Sequence, residues 1–115
     1  MSSITKSSAW QALEHHHQAT AHVHMRDLFA HDPHRAERFS LRLGDMLLDY
    51  SKNRVAPETM DLLVALAREA NLEGWRQRMF AGETINTTEG RAVLHVALRN
   101  EPDQPIYVNG EDVMP

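Results

Sequence analysis

The chain has 115 residues, 42% hydrophobic and 24% charged, which suits one soluble globular domain with a modest core and excludes a disordered or fibrous protein. Sixteen acids against twelve bases leave a net charge of −4, so no general attraction to nucleic acid or an anionic membrane is built in, and the lack of cysteine removes disulfides, thiolate zinc sites and thiol nucleophiles together. No apolar stretch approaches the ~20 residues of a membrane helix, and the polar start lacks the apolar core of a secretory signal, so the expectation is a cytoplasmic protein with neither nucleic-acid nor membrane partners.

In chain order, Ser8 and Gln11 form a capping-box pattern that opens a helix from Ala9 to about Ala19, with Trp10, Leu13 and His17 on one face. A short helix over Met25 to Ala30 stops at Asp32-Pro33, which itself has the form of a helix opening and predicts another short helix from Pro33 to about Phe39. Leu41 to Tyr50 suits either helix or strand, and a short buried strand near Leu47 to Tyr50 is the preferred reading. Ala56-Pro57-Glu58 opens the most secure helix, reaching about Ala70 with Met60, Leu63, Leu66, Ala67 and Ala70 at helical spacing. Another helix spans about Glu73 to Phe80, with Gly82 as its terminator. Asn86 to Glu89 carry capping side chains ahead of the apolar run Ala92 to Leu98, which predicts a largely buried helix. The segment 105–110 ends in Asn109-Gly110, a strong hairpin-turn signal, although little room remains for a second strand. Asp112 to Pro115 has the pattern of an approach to a further helix. No repeat, linker or interior domain boundary is evident.

Seven of the eight histidines precede residue 35: His15, His16, His17, His22, His24, His31 and His34. Consecutive histidines on a helix point about 100° apart, whereas metal ligation from a helix needs spacing of three or four. Partly exposed helix and loop positions are therefore the expectation for these side chains, and no metal site is assigned. Arg91, His95 and Arg99 are the weak candidates for substrate binding. At i, i+4 and i+8 of the predicted helix they form one polar stripe, in which two guanidiniums could hold a phosphate or carboxylate. An ion-pair network with carboxylates such as Asp49 or Glu89 is the structural alternative. Asp49-Tyr50-Ser51-Lys52-Asn53-Arg54 is a conspicuous polar hexapeptide, but no nucleophile elbow surrounds Ser51 and no glycine-rich phosphate loop occurs. The chemistry of the residues alone identifies no complete active site.

Three stretches, taken in order, carry a family resemblance. The first is Met25-Arg26-Asp27-Leu28-Phe29-Ala30 with Asp32-Pro33 and Arg38-Phe39-Ser40-Leu41. The second is Leu47-Leu48-Asp49-Tyr50-Ser51-Lys52-Asn53-Arg54, followed by Glu58-Thr59 and a leucine-rich helix. The third and most specific runs from Met79-Phe80-Ala81-Gly82-Glu83 through Ile85-Asn86 and Thr88 to Asn100, then Pro105-Ile106, Val108, Gly110 and 112–115.

In order and spacing these stretches resemble the N-terminal portion of the glucose-6-phosphate isomerase (phosphoglucose isomerase) family, and the resemblance implies interconversion of glucose 6-phosphate and fructose 6-phosphate in glycolysis and gluconeogenesis, by proton transfer between C1 and C2 through an enediol, with a glutamate base and no cofactor. It also implies a homodimeric parent enzyme and a fold class that is mainly α with a short β element, the N-terminal helical portion of an α/β enzyme of three-layer αβα sugar-isomerase domains. The motifs that carry phosphate loops, catalytic glutamate, ring-opening histidine and C-terminal lysine in the family do not occur in this sequence. No catalytic residue is therefore assigned, and residues 1–115 are expected to be an incomplete N-terminal segment, inactive alone, that meets the sugar phosphate only through domains beyond it. A small helical interaction protein and a His-rich metal-binding module are the alternatives.

Overall fold

A computed structural model describes residues 4–101 and 103–114. The chain is mainly helical with two small antiparallel hairpins, and it packs as two compact units that divide between Glu69 and Ala70, where the sequence carries no linker. Among the described residues no helix is long and apolar enough to cross a membrane. The last step of the expected approach to a further helix, Pro115, lies outside the described residues.

The first unit is built on two helices, α1 (Ser8–Thr20) and α4 (Pro57–Glu69), which pack together. The cap of α1 is Ser7, not Ser8: Ser7 is extended at φ −72 and ψ 154, and its Oγ accepts the N–H of Trp10. Ser8 instead enters the first turn, where its N–H and hydroxyl face the Glu69 carboxylate, and the Ala9 N–H donates to the same carboxylate at 2.8 Å. A carboxylate at a helix N-terminus satisfies free donors and complements the helix dipole. Two adjacent serines are equivalent as local caps; the partner across the helix pair decides between them.

Between these helices lie α2 (Met25–His31) and the single turn α3 (Arg35–Arg38). The predicted helix from Pro33 is shorter because Asp32 spends its carboxylate on an Asx turn to the His34 N–H at 3.1 Å and on the Arg38 Nε at 2.8 Å. From Phe39 the chain enters a hairpin of β1 (Ser40–Leu43) and β2 (Met46–Asp49), turning at Gly44, whose φ of 56 suits glycine. The strand expected near Leu47 is present, but it is exposed along its whole length rather than buried, and its partner is Ser40–Leu43. The apolar run Met46-Leu47-Leu48 that suggested burial is divided between the two faces of a two-stranded ribbon, Met46 and Leu48 on one and Leu47 on the other, and is not part of a strand covered on both sides.

The second unit begins with α5 (Leu72–Phe80). Gly82, at φ 73, closes it in a Schellman arrangement: the Gly82 N–H donates to Met79 O and the Glu83 N–H to Arg78 O. The expected helix over Ala92 to Leu98 does not form; only a 3-10 turn, Ala97–Arg99, is present. Asn86 Oδ1 accepts the Glu89 N–H, Gly90 turns left-handed at φ 65, and Arg91 returns to bridge Asn86 through paired backbone hydrogen bonds. The capping side chains thus close a tight turn instead of opening a helix, and the β-branched Val93 and Val96 do not favour renucleating one. The terminal hairpin pairs β3 (Tyr107–Val108) with β4 (Glu111–Asp112). Asn109 and Gly110 both have positive φ, 52 and 85, as a type I′ turn requires, so a second strand of two residues does fit.

The core is small and partly polar. Among the described residues the buried ones are Ala9, Phe39, His16, Arg35, Ser51 and Gly82, while Leu43, Met46 and Leu98 are 78, 71 and 84% exposed.

Candidate functional site

Of the three candidate binding residues the structure brings two together. His95 and Arg99 border a shallow depression of about 310 Å³ with Phe80, Val96, Asn100 and Ile106. Arg99 Nη1 donates to the His95 carbonyl oxygen at 3.3 Å. Arg91 stands outside this depression, ion-paired with Glu89. Without a helix over 91–99, the spacing that aligned the three side chains has no geometric force. The depression is lined mainly by apolar groups and has no carboxylate on its wall. One guanidinium and one imidazole over such a floor can meet an anion at the surface, but they lack the acid–base partner that proton transfer needs.

The polar hexapeptide proves to be an organised structural turn. Asp49 Oδ1 accepts the Ser51 N–H at 2.9 Å, and hydrogen bonds from Ser51, first through its side chain and then its backbone, hold the Asp49 carboxyl below its ordinary value of 3.8, with Lys52 adding a smaller attraction. Ser51 is only 1% exposed, which removes it as a nucleophile. Arg54 reaches back to the carbonyls of Ala21 and Val23.

The residue that builds this turn escaped the reading of the sequence. Arg35, 2% exposed, donates from Nε to Ser51 O at 2.8 Å and from Nη2 to Asn53 O and Val55 O at 2.9 and 2.8 Å. Its guanidinium lies 4.6 Å from the centroid of the Phe39 ring and 5.5 Å from that of Phe29. A cation that lies over two aromatic rings and donates to three carbonyls is held without a carboxylate. The available signal was the placement of phenylalanines on both sides of Arg35 in the chain.

Of the clustered histidines, His16 is buried while His15, His17, His22, His24, His31 and His34 are exposed. His16 Nε2 lies 2.7 Å from Thr59 Oγ1, and Thr59 Oγ1 also accepts the Ala56 N–H at 2.9 Å. The Thr59 hydroxyl proton is then free for the imidazole, so His16 serves as a polar pin between α1 and α4. Among the described residues no three His, Cys, Asp or Glu side chains gather as a metal site.

Comparison with known proteins agrees with the motifs of the sequence. The family model for phosphoglucose isomerase matches residues 49–115, which begin at the Asp49 turn and include the second unit. Glucose-6-phosphate isomerase 1 of Chromobacterium violaceum is 59% identical over 115 residues, all of this chain and 21% of the relative. Glucose-6-phosphate isomerase of Methylococcus capsulatus is 55% identical over the same span and share. Glucose-6-phosphate isomerase 1 of Neisseria gonorrhoeae is 57% identical over 107 residues, 93% of this chain and 20% of that protein. The chain thus spans about a fifth of the length of the curated relatives it matches. With the family match covering more than half of its residues, and with unbroken similarity over its whole length, the chain belongs to the phosphoglucose isomerase family.

Proposed function

We propose that the chain serves as the N-terminal segment of a glucose-6-phosphate isomerase, an enzyme that interconverts glucose 6-phosphate and fructose 6-phosphate in glycolysis and gluconeogenesis. The single observation that carries this reading is the 59% identity over all 115 residues to a relative of that name. In this reading the parent is a cytoplasmic homodimer of three-layer αβα sugar-isomerase domains. It opens the sugar ring and moves a proton between C1 and C2 through an enediol, with a glutamate base and without a cofactor. The sugar phosphate is met by parts of the enzyme beyond these residues. The chain's own contribution is structural: Arg35 sets the turn 51–55, and the Ser8, Ala9 and His16 contacts set the α1–α4 pair. Arg91, His95 and Arg99 stay the candidates for any contact with substrate.

The test is a fusion of residues 1–115 to the portion of the Chromobacterium violaceum relative that follows its matching region, assayed with fructose 6-phosphate and a coupled dehydrogenase. The fusion is expected to turn over substrate and the 115-residue chain alone is expected not to. Turnover by 1–115 alone, or a folded fusion without activity, would overturn the reading.

A further inference from the structure

An asparagine loses its side-chain amide when the backbone nitrogen of the next residue attacks its Cγ, and a glycine there leaves the approach clear because it has no Cβ. Asn109 precedes Gly110, whereas Asn53, Asn71, Asn86 and Asn100 precede Arg54, Leu72, Thr87 and Glu101. The structure separates them further. The Asn86 side chain is bonded to Glu89 through both its nitrogen and its oxygen, and Asn100 Nδ2 donates to Gln104 O at 2.8 Å. Asn109 and Gly110 stand exposed at the tip of the β3–β4 hairpin, and among the described residues neither the Asn109 amide nor the Gly110 N–H has a hydrogen-bond partner. The space around Gly110 is open, with no atom within 4 Å of where a Cβ would stand. Asn109 also holds a φ of 52, a left-handed backbone that costs a residue with a Cβ some free energy. The strands beneath the tip are short: Tyr107↔Asp112 and Val108↔Glu111 pair, and the Val113 N–H donates to Ile106 O at 2.9 Å.

We propose that Asn109 is a site of spontaneous modification, and that its deamidation releases the β3–β4 hairpin. Gly110 N attacks Asn109 Cγ and forms a new N–C bond; the bond from Cγ to Nδ2 breaks, and ammonia leaves with the proton that Gly110 N gives up. Water then opens the five-membered succinimide. Attack at Cγ gives aspartate, and attack at the Asn109 main-chain carbonyl carbon gives isoaspartate, in which the chain runs through the former side chain. The sum is one water consumed and one ammonia released, with no oxidant or cofactor. Isoaspartate adds a methylene to the main chain inside a two-residue turn, whose length sets the strand register. Either product also places a third carboxylate beside Glu111 and Asp112, where like charges repel. Both changes act on the strand pair that lies against Gly82 through Tyr107 and Val108.

The experiment incubates the 115-residue chain at physiological temperature in mildly alkaline buffer, where the attacking nitrogen loses its proton more readily. Released ammonia is assayed, and the five asparagines are followed by peptide mapping with electron-transfer fragmentation, which distinguishes isoaspartate from aspartate. Conversion at Asn109 is expected to be at least about tenfold faster than at each of the other four, because only there is the attacking nitrogen that of glycine. Asn109→Gly keeps a residue suited to positive φ in the turn and is expected to abolish this ammonia release. The purified isoaspartyl form is expected to show amide exchange at Tyr107 and Val108 faster by at least about threefold, as local opening of the hairpin requires. The same chain unfolded in denaturant serves as the reference for unrestrained reaction. Conversion of Asn109 in the unfolded chain but not in the folded one would show that the turn protects it, and overturns the proposal. Equal conversion at another asparagine, or undiminished ammonia release from Asn109→Gly, overturns it as well. Unchanged exchange at Tyr107 and Val108 in the isoaspartyl form overturns the release of the hairpin.

Discussion

Arg35 and Ser51 are both buried, and the guanidinium Nε of the first donates to the carbonyl oxygen of the second at 2.8 Å. With two further bonds to Asn53 O and Val55 O, this contact ties α3 to the loop that leads into α4. Arg35→Ala strands three carbonyls and removes a guanidinium that lies over the Phe29 and Phe39 rings. It is expected to cost about 3 kcal/mol or more of stability. Arg35→Lys keeps the charge but loses the planar fork and should still cost roughly 1–2 kcal/mol. Chemical denaturation of the 115-residue chain measures both, and equal stability of the three proteins would refute the role of Arg35.

Glu69 caps α1 from the far end of α4, across sixty residues of sequence. Glu69→Ala frees the Ser8 and Ala9 N–H groups and is expected to destabilise by about 1 kcal/mol. Glu69→Gln retains an acceptor and should cost less. Replacing Ser7 by Ala removes the local cap to Trp10 and should cost a similar amount, with the two losses close to additive if the carboxylate and the hydroxyl serve different donors. Thermal unfolding of the single and double variants decides this.

Asp49 gives the fold an acid-sensitive element. Its carboxyl is held below 3.8 by the Ser51 hydrogen bonds, so it stabilises the folded state above that ordinary value, and the contribution fades as pH falls through the lowered folded-state value. Relative to Asp49→Asn, the wild-type chain should hold its advantage at neutral pH and lose it below about pH 4. Melting curves collected from about pH 7 down to pH 2.5 test this. A difference that stays constant across the range would remove the carboxylate from the explanation.

Gly82 and Gly44 offer a contrast between strain with and without a clash. Both adopt left-handed backbone, at φ 73 and 56. A methyl group on Gly82 would run into the Tyr107 carbonyl oxygen and press on Val108, whereas one on Gly44 meets open space. Gly44→Ala is expected to cost about 1 kcal/mol from backbone strain alone. Gly82→Ala should cost at least twice that and loosen the β3–β4 hairpin, visible as faster amide exchange at Tyr107 and Val108. Equal costs at both positions would contradict the close approach.

Much of the architecture was legible in local pattern. The helix over 57–69, the termination at Gly82 and the Asn109-Gly110 turn each follow from residues a few positions apart, whose backbone preferences have no strong competitor. The predicted helix over 92–98 failed where two local signals conflicted. Asn86 and Glu89 can cap a helix or close a turn, and the Asn86–Arg91 bridge around Gly90 selects the turn. With that helix went the alignment of Arg91, His95 and Arg99, of which only His95 and Arg99 border one depression.

The sequence by itself determined membership of the family and the helical character of the chain, because motifs and short-range periodicity are written in neighbouring residues. Only the tertiary structure decided that Ser7 rather than Ser8 caps α1, that Ser51 is buried, that Arg35 and not the histidine cluster organises the first unit, and that the Leu41 to Leu48 face stands uncovered. Each of these depends on a partner sixteen to sixty residues away or on the exposure of a whole face, and no local preference encodes either.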